Sequence, residues 1–182
     1  MFTAKPIKIL SASYASYILT IHEFNLKEED LAIKSSRKGK IITLVTEAQA
    51  VKGAIFIPQV LKECRRCSLN KICVKNVREG VPYEIKDVRK KSHECPATGS
   101  IMRIVEVVPA PIKALVFSKH AIKGAVINYT PIYCTTRCPY KKLCAPPGLR
   151  PGDKVRIVEI LGRSYRCIEN KELTPVLLLL LL

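Results

Sequence analysis

The residues of this chain best equipped for chemistry are its eight cysteines, and they fall into two sets of four. Cys64, Cys67, Cys73 and Cys95 follow Ala50–Phe56, which reads AVKGAIF; Cys134, Cys138, Cys144 and Cys167 follow Ala121–Ile127, which reads AIKGAVI. The interval is 71 residues at Ala50/Ala121, Gly53/Gly124, Cys67/Cys138 and Cys73/Cys144. It is shorter by one at Cys64/Cys134 and longer by one at Cys95/Cys167, as single-residue changes in loops produce. Self-similarity at a fixed interval marks a repeated unit, and here it commits every cysteine to one pattern.

Four thiolates have two main uses, a tetrahedral structural zinc or an iron–sulfur cluster. Zinc ribbons pair two short C-x2-C knuckles, whereas each set here has one short pair, a third cysteine six residues further on, and a fourth beyond a strand hairpin. That spacing spreads the sulfurs around a loop and a helical turn, which suits the wider footprint of a cubane. Two [4Fe-4S] clusters are the leading expectation, with two Zn2+ as the alternative and paired disulfides third. His93 stands two residues before Cys95, but its counterpart is Tyr165, so it reads as a surface histidine. The C-x2-C-x5-C run, and Cys138-Pro-Tyr-Lys-Lys-Leu-Cys144 above all, resembles the iron–sulfur patches of CRISPR-associated nucleases and the auxiliary-cluster domains of radical-enzyme maturases. In those nucleases the fourth cysteine comes before the trio, and Cys134-x3-Cys138 also departs from the pattern.

The chain carries 31 Lys and Arg against 15 Asp and Glu, a net charge of +16. Two four-thiolate sites with one divalent ion each would lower this only to roughly +12. A field of that sign attracts polyanions, nucleic acid first among them. Cations crowd the cysteines: Arg65, Arg66, Lys71 and Lys75 near the first set, Arg137, Lys141, Lys142 and Arg150 near the second. They either compensate anionic metal sites or form phosphate-binding strips, and Tyr83, Tyr129, Tyr133 or Tyr140 could stack on bases. No catalytic constellation accompanies them. Glu84-Ile-Lys86 matches the end of a nuclease metal motif, but no acidic partner precedes it and the second copy has Arg156-Ile-Val158 there.

The elements that must position these residues read as strands. Ile41–Val45, Gly53–Ile57, Pro82–Val88 and Ile101–Val108 belong to a first unit, with a turn at Arg89–Lys91 and a short strand leading into Cys95. Ile112–Phe117, Gly124–Asn128 and Lys154–Leu161 repeat the order, with Arg150-Pro-Gly-Asp153 as a turn carrying Pro second and Gly third. The expected fold is a β-rich α+β class, a tandem pseudo-twofold duplication of a small β module, each with a four-cysteine metal site and a short helical turn. The expected division is an N-terminal extension over 1–39, modules over 40–108 and 109–172 packed as one compact domain, and an apolar C-terminal tail over 173–182. Asn25 caps a short helix through Ile33 in the extension, and Ser35–Gly39 reads as a linker. No secretory signal or membrane span is expected, because Leu177–Leu182 reaches about a third of a spanning length. A cytoplasmic location follows, and there clustered cysteines more often bind metal than form disulfides.

Taken together, the clusters, Gly80-Val-Pro-Tyr-Glu-Ile-Lys-Asp-Val-Arg89, Ile104-Val-Glu-Val-Val-Pro-Ala-Pro111 and Tyr129–Cys144 resemble an uncharacterised archaeal family with paired cysteine clusters and no assigned activity. The resemblance covers roughly Ile41 to Leu161, implies archaeal origin and metal ligation, and supplies no mechanism. The functional expectation is a metal-binding basic protein that contacts RNA, ahead of DNA, or a ribonucleoprotein, without catalysis of its own. The alternatives are an iron–sulfur electron carrier or redox sensor, and a structural subunit of a larger complex.

Overall fold

A computed structural model of the protein describes residues 41–182. The extension 1–39, with its expected helix and linker, lies outside the described residues. Runs rich in Ile, Val, Leu and Thr supply the strands, as branched side chains suit a pleated, half-buried surface. β1 (Ile41–Thr46), β2 (Ile55–Phe56), β3 (Tyr83–Glu94) and β4 (Ile101–Pro109) form one antiparallel sheet in the order β1-β4-β3-β2. β5 (Ile112–Phe117), β6 (Val126–Asn128), β7 (Lys154–Ile160) and β9 (Glu172–Leu180) form a second, in the order β5-β9-β7-β6, with β8 (Tyr165–Arg166) also paired to β9. The starts of β1 and β5, of β3 and β7, and of β4 and β9 are each 71 residues apart.

Alternation along the strands sends one face of each sheet into a common core. Val45, Tyr83, Ile85, Val105 and Val107 come from the first sheet, and Ile112, Ala114, Val155, Ile157, Val176 and Leu178 from the second. Only Ala110 and Pro111 connect β4 to β5, and Ala110 donates its N–H to the Pro82 carbonyl at 2.8 Å, holding the crossover against the first sheet. The halves also meet where Gly80 and Gly148 touch backbone to backbone. A Cβ on Gly148 would lie 2.5 Å from the Gly80 carbonyl, and its φ of +87° favours glycine in any case. Arg78 reaches across to Asp153 at 2.5 Å and closes this seam.

The expected fold class needs correction. Strand is the main regular structure of the described residues, in two antiparallel sheets. The α-helices, α1 (Asn70–Cys73) and α2 (Lys141–Cys144), are single turns of four residues, too short to bury an apolar stripe and form a layer of their own. No duplicated four-cysteine module with a formed metal site is present either: among the described residues no group of three or more His, Cys, Asp or Glu side chains is arranged to hold an ion. The turn expected at Arg89–Lys91 is instead part of β3, which continues to Glu94 and absorbs these residues as an irregularity between Val88 and Ser92.

The segment read as an apolar tail is β9, the central strand of the second sheet, paired with β5 on one side and with β7 and β8 on the other. Pro175 sits within it, where a ladder donor is normally required. Its carbonyl accepts the Leu161 N–H at 2.8 Å, so its missing N–H faces the same side. There the neighbouring chain leaves the ladder between β7 and β8, and no donor is needed. The Arg150–Asp153 turn forms as read: Asp153 N–H donates to the Arg150 carbonyl at 3.1 Å and Gly152 has φ +86°.

Candidate metal centres

The structure brings each set of four cysteines together beside the edge strand of its own sheet. In the first half, Cys64 lies in the 3-10 turn Lys62–Arg66, Cys67 follows it, and Cys73 ends α1. The Asn70 side chain donates to the Cys64 carbonyl, and its backbone N–H to the Cys67 carbonyl at 3.0 Å, which fixes the short pair relative to the helical turn. Thr43 of β1 donates its hydroxyl to the Cys73 carbonyl at 2.8 Å, and Asn76 donates to the Ile42 carbonyl at 2.9 Å. The cysteine loop thus ties itself to β1 and covers the Ile42 carbonyl on that edge strand. Cys95 arrives from the far end of β3 in a tight turn, Gly99 N–H donating to its carbonyl at 2.8 Å.

In the second half, Cys144 ends α2 and is buried with Leu115 of β5, Ile132 and Leu173, a cluster separate from the main core. Its carbonyl accepts the Ile132 N–H at 3.0 Å and the Tyr129 hydroxyl at 3.2 Å. All four thiols of this set, with Tyr140 and Tyr165, line an almost wholly apolar cavity of about 20 Å³. Cys167 lies in a turn of which Asn170 (φ 59°) is part. That turn carries Glu169 and Lys171, two charged residues that no motif or repeat singles out. Lys171 donates to Glu169 at 2.8 Å and to the Tyr133 carbonyl at 2.9 Å, and its ammonium stands 3.5 Å from the Cys134 sulfur. Glu169 in turn accepts the Thr135 N–H at 3.0 Å, which ties the Cys134 loop to the Cys167 turn.

Electrostatics show that each set is a set. Burial, and then the charges of Cys64, Cys95 and Cys67, push the Cys73 thiol up to about 11. Burial, and then Cys134, Cys138 and Cys167, push Cys144 up to about 11 as well. Cys95 moves the other way, chiefly because the Thr98 hydroxyl bonds its thiolate. The hydrogen bond from Lys171 holds Glu169 down to about 2. Four soft, mutually interacting sulfurs around an apolar cavity fit a thiophilic metal in donor chemistry. A cation at 3.5 Å from one of them supplies the outer-shell compensation such a site needs.

The eight cations proposed from the sequence, Arg65, Arg66, Lys71, Lys75, Arg137, Lys141, Lys142 and Arg150, are all exposed. The four candidate stacking tyrosines divide. Tyr133 and Tyr140 are 73% and 52% exposed, but Tyr83, at the start of β3, and Tyr129, just after β6, are buried in the main core. Tyr83 spends its hydroxyl accepting the Arg78 N–H at 3.0 Å. Glu84 and Lys86 pair with each other, as neighbours on an exposed strand face do. His93 is a β3 residue opposite Met102. Among the described residues, no helix is long and apolar enough to cross a membrane.

The class defined by this arrangement is a mostly β protein of two packed antiparallel sheets, each with four cysteines gathered beside its edge strand. Within that class, the chain belongs to the uncharacterised protein family UPF0179, whose model matches residues 41–178. It is similar to a UPF0179 protein of Methanothermobacter thermautotrophicus, 36% identical over 141 residues that cover 76% of this chain and 96% of that one. A UPF0179 protein of Thermococcus onnurineus is 40% identical over 138 residues, covering 71% and 91%. One of Methanocaldococcus jannaschii is 29% identical over 143 residues, covering 78% and 95%. The family is archaeal in these relatives, and their names assign no activity. No solved structure matches the chain.

Proposed function

We propose that this is a metal-bearing protein that contacts nucleic acid, RNA ahead of DNA, without catalysis of its own. Cys64, Cys67, Cys73 and Cys95 hold one metal group and Cys134, Cys138, Cys144 and Cys167 the other. The metals fix the loops that present the flanking cations to phosphate. One observation carries the reading. None of those eight exposed cations has an ion-pair partner among the described residues, whereas Arg78, Lys86, Arg89, Arg103 and Lys171 each pair with a carboxylate. These eight face solvent close in the chain to the cysteines, so the same loops that bring the sulfurs together present them.

Iron–sulfur clusters remain ahead of zinc. The spacing supports this order: each set has one short pair, a third cysteine six residues on and a fourth beyond a hairpin, which suits the wider footprint of a cluster. The cavity of about 20 Å³ favours the alternative, since its volume is nearer that of one ion than that of a cubane. Metal analysis of anaerobically purified protein decides: about eight irons per chain with a broad visible band, or about two zincs and no colour. A band that bleaches reversibly with dithionite would move the protein toward electron transfer or redox sensing. For nucleic acid, anisotropy titration of single-stranded RNA at about 50 mM salt tests the contact. No binding at tens of micromolar protein ends it.

A further inference from the structure

A second cavity lies away from the thiols, between the end of β5, the 3-10 turn Ser118–His120 and β6, with a volume of about 170 Å³. We infer that it binds one nucleotide unit, its base seated in the cavity and its sugar-borne phosphate at the rim. The inference rests on the nucleic-acid reading above and assigns to it a specific recognition site. Phe117 and Ile127 give the cavity an apolar wall, Lys119 and His120 a cationic rim, and Asn128 and Thr130 a polar edge.

Size, charge and polar chemistry together select this ligand. The volume is well below the roughly 300 Å³ at which drug-sized pockets begin, so it suits a single ring and its substituent. No carboxylate lines the cavity, so an anionic group on the ligand meets only cations. The side chains of Lys119, His120, Asn128 and Thr130 have no hydrogen-bond or ion-pair partner among the described residues, so all four are available at once. Phe117 and His120 stand edge to face with ring centroids 6.4 Å apart at 85°, which leaves an aromatic surface for a base to pack on. An amide and a hydroxyl offer both donor and acceptor to a base edge, as single-stranded recognition requires.

The corresponding place in the first half lacks this chemistry. Seventy-one residues earlier stand Ala48, Gln49, Ile57 and Gln59. The Thr46 hydroxyl donates to the Gln49 side chain at 3.0 Å, and Glu47 is held by Arg103. The cationic, unsatisfied lining therefore belongs to the second half alone, on the stretch that continues from Thr130 to Cys134.

The test titrates four nucleoside monophosphates, inorganic phosphate and a short single-stranded RNA against the full chain, read by amide chemical shifts and anisotropy. The variants are Lys119→Ala with His120→Ala, and Asn128→Ala, all at exposed positions. Expected are monophosphate-induced shifts confined to the cavity, weaker shifts with inorganic phosphate, and a loss of about tenfold or more in the double variant. Equal binding of inorganic phosphate and monophosphates overturns the inference and leaves an anion site only. RNA binding that is intact in both variants, with no monophosphate binding, also overturns it while the wider nucleic-acid reading stands. Monophosphate binding without RNA binding supports the cavity, assigns it to free nucleotides, and removes the wider reading.

Discussion

Cys73 and Cys144 are the members of their sets most shifted by burial, and pH should expose them. Both thiols sit near 11 in the folded chain against an ordinary 9.0. The metal-free folded state therefore keeps protons that the unfolded chain releases. Its stability is fully present below pH 9 and falls as pH rises from about 9 toward 11. Melting temperatures of chelator-treated protein across that window should drop, and less steeply in Cys144→Ala; a flat profile would contradict the burial of these thiols. Loaded with metal, the dependence reverses, since ligation needs thiolates and tightens as protons leave. Cys73→Ser and Cys144→Ser should each halve the metal content per chain. Full loading in either variant would remove that cysteine from the ligand set. The cysteines were legible because thiols are rare and their interval repeats. Glu169 and Lys171 were not, because Thr98 and Ser100 stand at the matching positions and the only signal was adjacency to Cys167.

Among the elements, β9 was the least legible. Its sequence, ELTPVLLLL, shows no alternation, since Val176 and Leu178 fill the main core while Leu173 and Leu177 are buried on the other face. A strand covered on both sides reads as a continuous apolar run, and without a cysteine or a matching first-half motif this one resembled a tail. Leu178→Ala, at a site with 0% exposure, should cost about 2–5 kcal/mol in urea unfolding. Leu182→Ala, at 51% exposure, should change it by less than about 0.5 kcal/mol. Near-equal effects would mean that β9 is not in the core. Gly148→Ala brings a methyl group against the Gly80 backbone at a positive φ and should cost more than about 1 kcal/mol, measured the same way. Nothing in the sequence signals this contact, which arises only when the two sheets pack.

For the whole molecule, the charge of +16 predicts the form of binding more than its target. If the unpaired cations meet single-stranded RNA, affinity should fall linearly on a log–log plot against salt. Arg137→Gln with Lys141→Gln should lower the slope by about 1.4, at roughly 0.7 per phosphate contact. An unchanged slope would place the contact elsewhere on the surface. The shared core has a further consequence, for the growing polypeptide. β5 and β7 are both made before the strand that lies between them, so during translation they wait with open edges. When β9 emerges it does so as a leucine-rich, nearly uncharged strand of the kind that nucleates aggregation, relieved only by Glu172 and Pro175. This fold is therefore most vulnerable during biosynthesis, when the second sheet still lacks its middle strand.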